Sequence, residues 1–249
     1  MTIKEFDRAI GMNRKTISAN WSYFERIYCI SVNDRSDRRQ ECMRQFKRIG
    51  LYDRVEFILV DRHLTNCEQG IYESHLGCIR KGLALGAARL LIFEDDVIFE
   101  RFCPLRLNTG IDFLKHHPDW RMFFLGCMVK HSRRTQTPAV RKIVYRCLTH
   151  AYAINRPFAK VLLDHPWDHL PYDGLLSRFR DNVYSCHPTF AFQSNSVSDN
   201  DRHRRLETFR RWCGGLRRIQ KVSEWYHAHK PIILALHGIG LMALVWMLF

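Results

Sequence analysis

The chain has 249 residues, of which 46% are hydrophobic and 26% charged, and this composition excludes a chain that is disordered throughout. Lys and Arg number 39 against 25 Asp and Glu, giving a formal net charge of +14, which predicts polyanionic partners: phosphates, anionic lipid or nucleic acid. Nine scattered cysteines without a C-x-x-C pair, and an N-terminus without an apolar signal segment, favour reduced thiols and a cytoplasmic location.

Short apolar runs alternate with longer stretches of helical period along the chain. This alternation is typical of an α/β domain with a mostly parallel sheet. Six strands are predicted at Ile27–Val32, Val55–Val60, Leu90–Phe93, Met122–Leu125, Ala151–Ile154 and Val183–Cys186.

Three helices are predicted between these strands. The first covers Arg35–Ile49, the second covers Ser74–Ala88 with Ser74 as its N-cap, and the third is opened by Pro157. Residues 130–146 contain six Lys or Arg and no acid. They predict a mobile basic loop, which is either a solvated insertion or a segment that contacts the acceptor.

The C-terminal part of the chain differs from the rest in composition. Residues 201–230 carry nine Lys or Arg against three acids, together with Trp212, Trp225 and Tyr226, and residues 231–249 contain no charged side chain. A helix over these last nineteen residues would be about 28 Å long, close to the thickness of a bilayer core. The pattern predicts attachment to an anionic membrane surface, and the alternative is a terminal helix buried in the core or in a dimer.

These features divide the chain into four parts. We expect an N-terminal extension over 1–25, a catalytic domain over 26–200, a basic collar over 201–230 and an apolar tail over 231–249.

Three consecutive acids follow directly after an apolar strand, at Glu94, Asp95 and Asp96. Three adjacent carboxylates repel one another unless a cation lies among them, and the carboxyl edge of a parallel sheet faces the crevice where ligands bind. A hard divalent ion prefers oxygen ligands and bridges to phosphates. The cluster therefore predicts a site for Mg²⁺ or Mn²⁺ with a nucleotide diphosphate, and the alternative is a simple acidic helix cap.

Several short motifs occur in a fixed order along the chain. They are Ile30–Arg39, Cys67–His75, Phe93–Val97, Leu125–Gly126, His150–Ile154, Pro171–Gly174, His187–Gln193 and Ser198–Asp199. The ordered set resembles glycosyltransferase family 25, the galactosyltransferases of lipopolysaccharide biosynthesis and their collagen-modifying relatives. The resemblance implies a GT-A-like nucleotide-sugar-binding fold, a UDP-sugar donor, Mn²⁺ (or Mg²⁺) as cofactor and inversion at the sugar carbon.

The resemblance also implies roles for individual residues. The donor-binding residues would be Asn33, Arg38, Glu68, Ser74, His75 and Glu94. The metal ligands would be Asp95 and Asp96, and the catalytic base would be Asp173. Gln193 and Asp199 would be further motif positions. The second motif departs from the family pattern, because Cys67 replaces a glycine and Ile71–Tyr72 replaces Gly-Cys, which loosens the inference on the donor. From the residues alone, Arg38 also fits a solvated helix face, and Pro171–Gly174 also fits an exposed turn.

Together these observations predict a cytoplasm-facing, metal-dependent glycosyltransferase. Its acceptor would be a glycolipid or other saccharide at the inner face of a membrane, and its reaction a single displacement in which a carboxylate removes the acceptor proton. The alternatives are a nucleic-acid-modifying transferase and a catalytically degenerate, membrane-tethered binding protein. The particular sugar, the linkage and the oligomeric state do not follow from the sequence.

Overall fold

The computed structural model describes residues 18–194, Trp212 and 214–248, so the predicted motif position Asp199 lies outside the described residues. The elements in chain order are β1 Arg26–Val32, α1 Ser36–Arg48, β2 Val55–Val60, α2 Cys67–Ala84, β3 Arg89–Glu94, β4 Val97–Phe99, α3 Pro104–His116, β5 Met122–Phe124, β6 Met128–Arg134, β7 Val140–Cys147, β8 Ala151–Asn155, α4 Arg156–Leu163, α5 Tyr172–Arg178, β9 Val183–Cys186, β10 Ala191–Gln193 and α6 Leu216–Leu248.

The fold is mixed α/β around a central eight-stranded sheet with the strand order β2-β1-β3-β8-β5-β9-β7-β6. Strands β1, β2 and β3 are parallel to one another, as are β5 and β9, whereas β7 and β8 run antiparallel to their neighbours. Six of the eight strands therefore point the same way. The predicted α/β class with a mostly parallel sheet direction is confirmed, and the six predicted strands occur within one residue of their expected bounds.

Helices cover both faces of the sheet, and the pleat of β3 explains why its sequence is apolar at every position from Leu90 to Phe93. Leu91 and Phe93 belong to one hydrophobic cluster, while Leu90 and Ile92 belong to the cluster on the opposite face. Successive side chains of a strand point to opposite faces. A strand between two helical layers therefore needs apolar residues at every position.

Helix α2 begins seven residues earlier than predicted. Its N-cap is Asn66, whose side chain accepts hydrogen bonds from the backbone N–H groups of Glu68 and Gln69. The prediction of Ser74 as the cap is wrong, because Ser74 lies inside the helix and its hydroxyl donates to the Gly70 carbonyl at 2.6 Å. An Asn side chain satisfies first-turn donors as well as a serine does, so residue type alone did not distinguish the two positions.

The predicted mobile loop over 130–146 is instead the antiparallel pair β6–β7. The prediction failed because it weighed the number of charges rather than their alternation. Val140, Ile143 and Tyr145 are buried, while Lys142 and Arg146 are exposed. Strand β7 also pairs with β9, which makes the hairpin an extension of the central sheet.

Part of the N-terminal extension expected over 1–25 packs into the core. Trp21, Tyr23 and Phe24 are buried, and the Trp21 indole donates a hydrogen bond to the Ile49 carbonyl at 3.2 Å. This aromatic cluster adjoins β1, so the core includes residues before Arg26.

Helix α6 runs without interruption through Pro231, so the boundary expected between basic collar and apolar tail lies within one helix. Its N-terminal half packs against β6 and β10. Gln220 is fully buried and donates to the Ala191 carbonyl at 2.9 Å. In the part of the chain that the structure describes, no helix is both long enough and apolar enough to cross a bilayer.

Gly126 allows β10 to approach the sheet, and we expect Gly126→Ala to destabilise the fold. An added Cβ would lie 1.8 Å from the Ala191 carbonyl oxygen, so β10 would have to shift, at a cost of about 3 kcal/mol in the free energy of unfolding. Gly77→Ala in α2 is the matched control, since its Cβ would meet nothing within 4 Å and alanine favours helix by up to about 1 kcal/mol. Urea unfolding of both variants measures the difference. Equal midpoints would contradict the close approach.

Candidate active site

The acid cluster lies at the carboxyl edge shared by β1 and β3, because these neighbouring strands are parallel. The backbone N–H of Asp95 donates to the Ile30 carbonyl at 3.1 Å. The Asp95 carboxylate accepts a hydrogen bond from the Ser31 hydroxyl at 2.6 Å and lies 3.5 Å from the Arg38 guanidinium. Burial raises the pKa of Asp95, and the contacts from Ser31 and Arg38 oppose this rise. Arg38 therefore faces the acid cluster rather than forming a purely solvated helix face.

Asp96 is the most constrained member of the cluster. Gln193 of β10 donates a hydrogen bond to its Oδ2 at 2.8 Å, and the Ser194 N–H donates to its backbone carbonyl at 2.8 Å. Its other carboxylate oxygen, Oδ1, is buried and has no hydrogen-bond partner. Burial, with repulsion from Glu94, raises the pKa of Asp96 to about 7. An unpartnered buried carboxylate oxygen is costly unless a proton or a cation joins it.

Glu94 is the open member of the cluster, with 26% of its side chain exposed. It accepts a hydrogen bond from the Thr149 hydroxyl at 2.6 Å and lies 3.4 Å from the His75 Nε2. Burial raises its pKa, but the contacts from His75 and Thr149 outweigh burial and hold the pKa below its usual range. Glu94 therefore remains ionised at neutral pH.

His75 connects Glu94 to strand β8 and helix α5. Its Nδ1 hydrogen-bonds the Tyr152 hydroxyl at 3.0 Å, and that hydroxyl lies 2.9 Å from the Tyr172 hydroxyl. The His75 ring stacks on the Tyr172 ring with centroids 4.3 Å apart. Helices α2 and α5 and strand β8 are thus joined by one buried polar chain. His75 is fully buried and lies beside Glu94.

Asp173 is not on the exposed turn that its Pro-x-Asp-Gly context predicted. It lies in the first turn of α5, where Pro171 is the N-cap. Its carboxylate is partly buried, accepts a hydrogen bond from the Tyr145 hydroxyl, and lies 3.3 Å from the Leu148 N–H. Burial raises the pKa of Asp173 to about 6, although the Tyr145 hydrogen bond lowers it. A carboxylate near this pKa is available to accept a proton at neutral pH.

The other predicted donor positions are less closely connected to the cluster. Asn33 is exposed, follows β1 and donates to Asp61 at 2.6 Å. Glu68 lies in the first turn of α2, and the Ser74 hydroxyl bonds within its own helix. Asn33 shares the carboxyl edge with the acids, because β1 and β3 are parallel.

Comparison with solved structures finds chains of similar fold at low sequence identity. One is a mannose-1-phosphate geranyltransferase from Thermus thermophilus, at 11% identity and a TM-score of 0.39, with 66% of this chain and 74% of that chain covered. A second is a glycosyltransferase involved in glycosylation of the major capsid of PBCV-1, at 9% identity and a TM-score of 0.37, with 64% of this chain and 80% of that chain covered. A third is a UDP-glucose pyrophosphorylase complexed with UDP-glucose, at 13% identity and a TM-score of 0.40, with 82% of this chain and 81% of that chain covered. No family model matches the sequence. Likenesses this weak carry no inference about reaction or substrate.

The acid cluster fits a divalent cation that takes part of its coordination from a ligand. Across the residues that the structure describes, no three His, Cys, Asp or Glu side chains form a complete metal-binding group. Mg²⁺ and similar ions are commonly held by one or two carboxylates, with substrate phosphates and water completing the shell. Asp96 Oδ1, buried and without a hydrogen-bond partner, is the oxygen that such an ion would meet.

Sequence reasoning missed several groups that shape the site. Ser31 and Tyr172 lie inside two of the ordered motifs, whose pattern does not by itself indicate a role for either residue. Thr149 and Tyr145 lie outside the ordered motifs. Both are brought to the site by strands β7 and β8, whose positions in the sheet follow from tertiary pairing.

Proposed function

We propose that this protein is a metal-dependent, inverting glycosyltransferase with a GT-A-like fold, which moves a sugar from a nucleotide-sugar donor onto a glycolipid or lipopolysaccharide-type acceptor. The observation that carries the proposal is the unpartnered, buried Oδ1 of Asp96 at the carboxyl edge of parallel strands. Ligands of open α/β sheets bind at this edge.

In the proposed complex, Asp95 and Asp96 would hold Mn²⁺ (or Mg²⁺). When bound, the ion neutralises the negative charge of the departing nucleotide diphosphate. Arg38, 3.5 Å from Asp95, supplies a fixed positive charge beside the same position. Gln193 holds Asp96 in place through its 2.8 Å hydrogen bond, which gives this motif residue a positioning role.

Asp173 is the proposed catalytic base. The acceptor hydroxyl attacks the anomeric carbon of the donor sugar as the bond from that carbon to the diphosphate oxygen breaks. The hydroxyl proton passes to Asp173, and the diphosphate leaves with the bonding electrons. Tyr145 and the Leu148 N–H orient the Asp173 carboxylate. Fixed orientation of this kind is what an in-line displacement requires.

The more specific part of the proposal is that the protein belongs to family 25, uses a UDP-sugar donor such as UDP-galactose, and transfers a hexosyl group. This part rests on the ordered motifs of the sequence. The hydrogen bond from Gln193 to Asp96 joins the third of these motifs to a later one in a single site.

A panel of nucleotide sugars tests the proposal. We expect hydrolysis or transfer with one or a few UDP-sugars, activity dependent on Mn²⁺ or Mg²⁺, and loss of activity with a chelator. Release of pyrophosphate from a nucleoside triphosphate and a sugar phosphate would instead identify a nucleotidyltransferase. Modification of DNA or RNA in place of a saccharide would support the nucleic-acid alternative and overturn the acceptor assignment.

A further inference from the structure

The β6–β7 hairpin carries a concentration of exposed positive charge that its own segment does not neutralise. Residues 128–147 contain six Lys or Arg and no Asp or Glu. Arg133 lies directly opposite Lys142, and Arg134 directly opposite Arg141. Like charges opposite one another on neighbouring strands destabilise a sheet in water. This arrangement is expected where a polyanionic surface accepts the charges.

Helix α6 is held in a fixed position beside this hairpin. Glu224 of α6 contacts Arg101 and accepts a hydrogen bond from the Thr189 N–H at 2.6 Å. Lys221 and Arg217 form ion pairs with Glu100. These contacts join the N-terminal half of α6 to the domain, so the direction of the remaining helix is set by the domain.

The charges of the hairpin and of α6 meet where the apolar half of the helix begins. A cavity is lined by Val129 and Ser132 of β6 together with His227 of α6. Partial burial and the nearby side chains of Lys230, His131 and Arg146 lower the pKa of His227. Lys230 directly precedes the segment 231–249, which contains no charged residue. More than eighty positions separate Arg141 of β7 from His227 of α6 in the sequence, and the fold brings both to the wall of one cavity.

Beyond this point, large apolar side chains are exposed on opposite sides of the helix. The exposed positions, with exposed fractions between 48% and 83%, are Ile232, Leu234, Leu236, Ile239, Leu241, Met242, Val245 and Trp246. A groove on a protein partner would cover one side of the helix and leave other apolar side chains in water. Lipid surrounds a helix on all sides, and anionic headgroups complement the cations at its base.

We propose that the β6–β7 hairpin and the apolar half of α6 form one docking surface for an anionic lipid bilayer, with the hairpin cations on the headgroup phosphates and the helix among the acyl chains. The hairpin is then a membrane contact rather than a solvated insertion or an acceptor-binding loop. The proposal does not depend on the reaction, and vesicle binding tests it separately from transfer.

Co-flotation of the full chain with vesicles measures the docking. Phosphatidylcholine vesicles containing about one-third phosphatidylglycerol should bind the protein, and the triple variant Arg133→Gln, Arg134→Gln, Lys142→Gln should bind on the order of 100-fold more weakly. The matched control is Arg44→Gln, Arg80→Gln, Lys160→Gln, which removes three exposed cations from α1, α2 and α4. The control should retain wild-type binding. The difference in vesicle binding between the hairpin variant and the wild type should become smaller in high salt, because salt screens exposed charges.

A second variant tests the helix. Leu236→Gln, Ile239→Gln, Met242→Gln changes only exposed side chains, so the domain should fold, and the binding that survives high salt should be lost. Equal binding by the hairpin variant, the control and the wild type would overturn the role of the hairpin. The docking surface would be overturned if the wild-type protein were a dimer that does not bind vesicles and the helix variant were a monomer. That result would assign the apolar half of α6 to an interface between two copies of the chain.

Discussion

Asp96→Asn is expected to abolish sugar transfer while the domain stays folded. The substitution keeps the size of the side chain and an acceptor for the Gln193 hydrogen bond, but it removes the negative charge that would bind a divalent ion. Because burial raises the pKa of Asp96 to about 7, the neutral amide should also cost little stability without metal. Transfer rates, metal titration by calorimetry and thermal unfolding measure the three effects.

The pattern of the three measurements distinguishes the metal role from a structural one. Wild-type protein should be stabilised against unfolding by Mn²⁺, and Asp96→Asn should not be. Asp53→Asn is the control, since Asp53 is exposed and lies just before β2, at the amino end of the parallel strands. The acid cluster lies at their carboxyl end. Undiminished turnover of Asp96→Asn in saturating Mn²⁺ would contradict the assignment.

Asp173→Asn should lower kcat by on the order of 10²–10⁴-fold and leave donor affinity nearly unchanged, because a lost general base affects the transition state and not donor binding. The pH dependence gives a second test. Burial raises the pKa of Asp173 to about 6, and only the ionised form accepts a proton. The rate should therefore rise as pH increases through about 6 and then level off.

Two comparison variants make the Asp173 test specific. Tyr145→Phe removes a hydrogen bond that lowers the pKa of Asp173, so the rising limb of the pH profile should move to higher pH. Asp181→Asn changes an exposed acid just after α5 and should keep the wild-type profile. A collapse of donor affinity in Asp173→Asn, with an unchanged pH profile, would assign Asp173 to the donor site instead.

The alternation of apolar runs with helical stretches predicted most strands of the central sheet but not β6 and β7. Strand β3 carries apolar residues at four successive positions, Leu90–Phe93, because helices cover both faces of the sheet, and this signal is local. The β6–β7 hairpin has a weaker pattern, since its exposed positions hold cations that obscure the alternation of Val140, Ile143 and Tyr145. Helix α5 is short, and its Pro-x-Asp-Gly start also suits a turn.

The sequence by itself determined the α/β class and the position of the acid cluster, because both depend on residues that are neighbours along the chain. A buried strand that ends in three acids is recognisable without its partners. Only the tertiary structure decided what surrounds those acids. Ser31 is 64 positions from Asp95, Thr149 is 55 from Glu94, and Gln193 is 97 from Asp96. Hydrogen bonds over such separations form where sheet pairing brings strand ends together, and that pairing has no local signature.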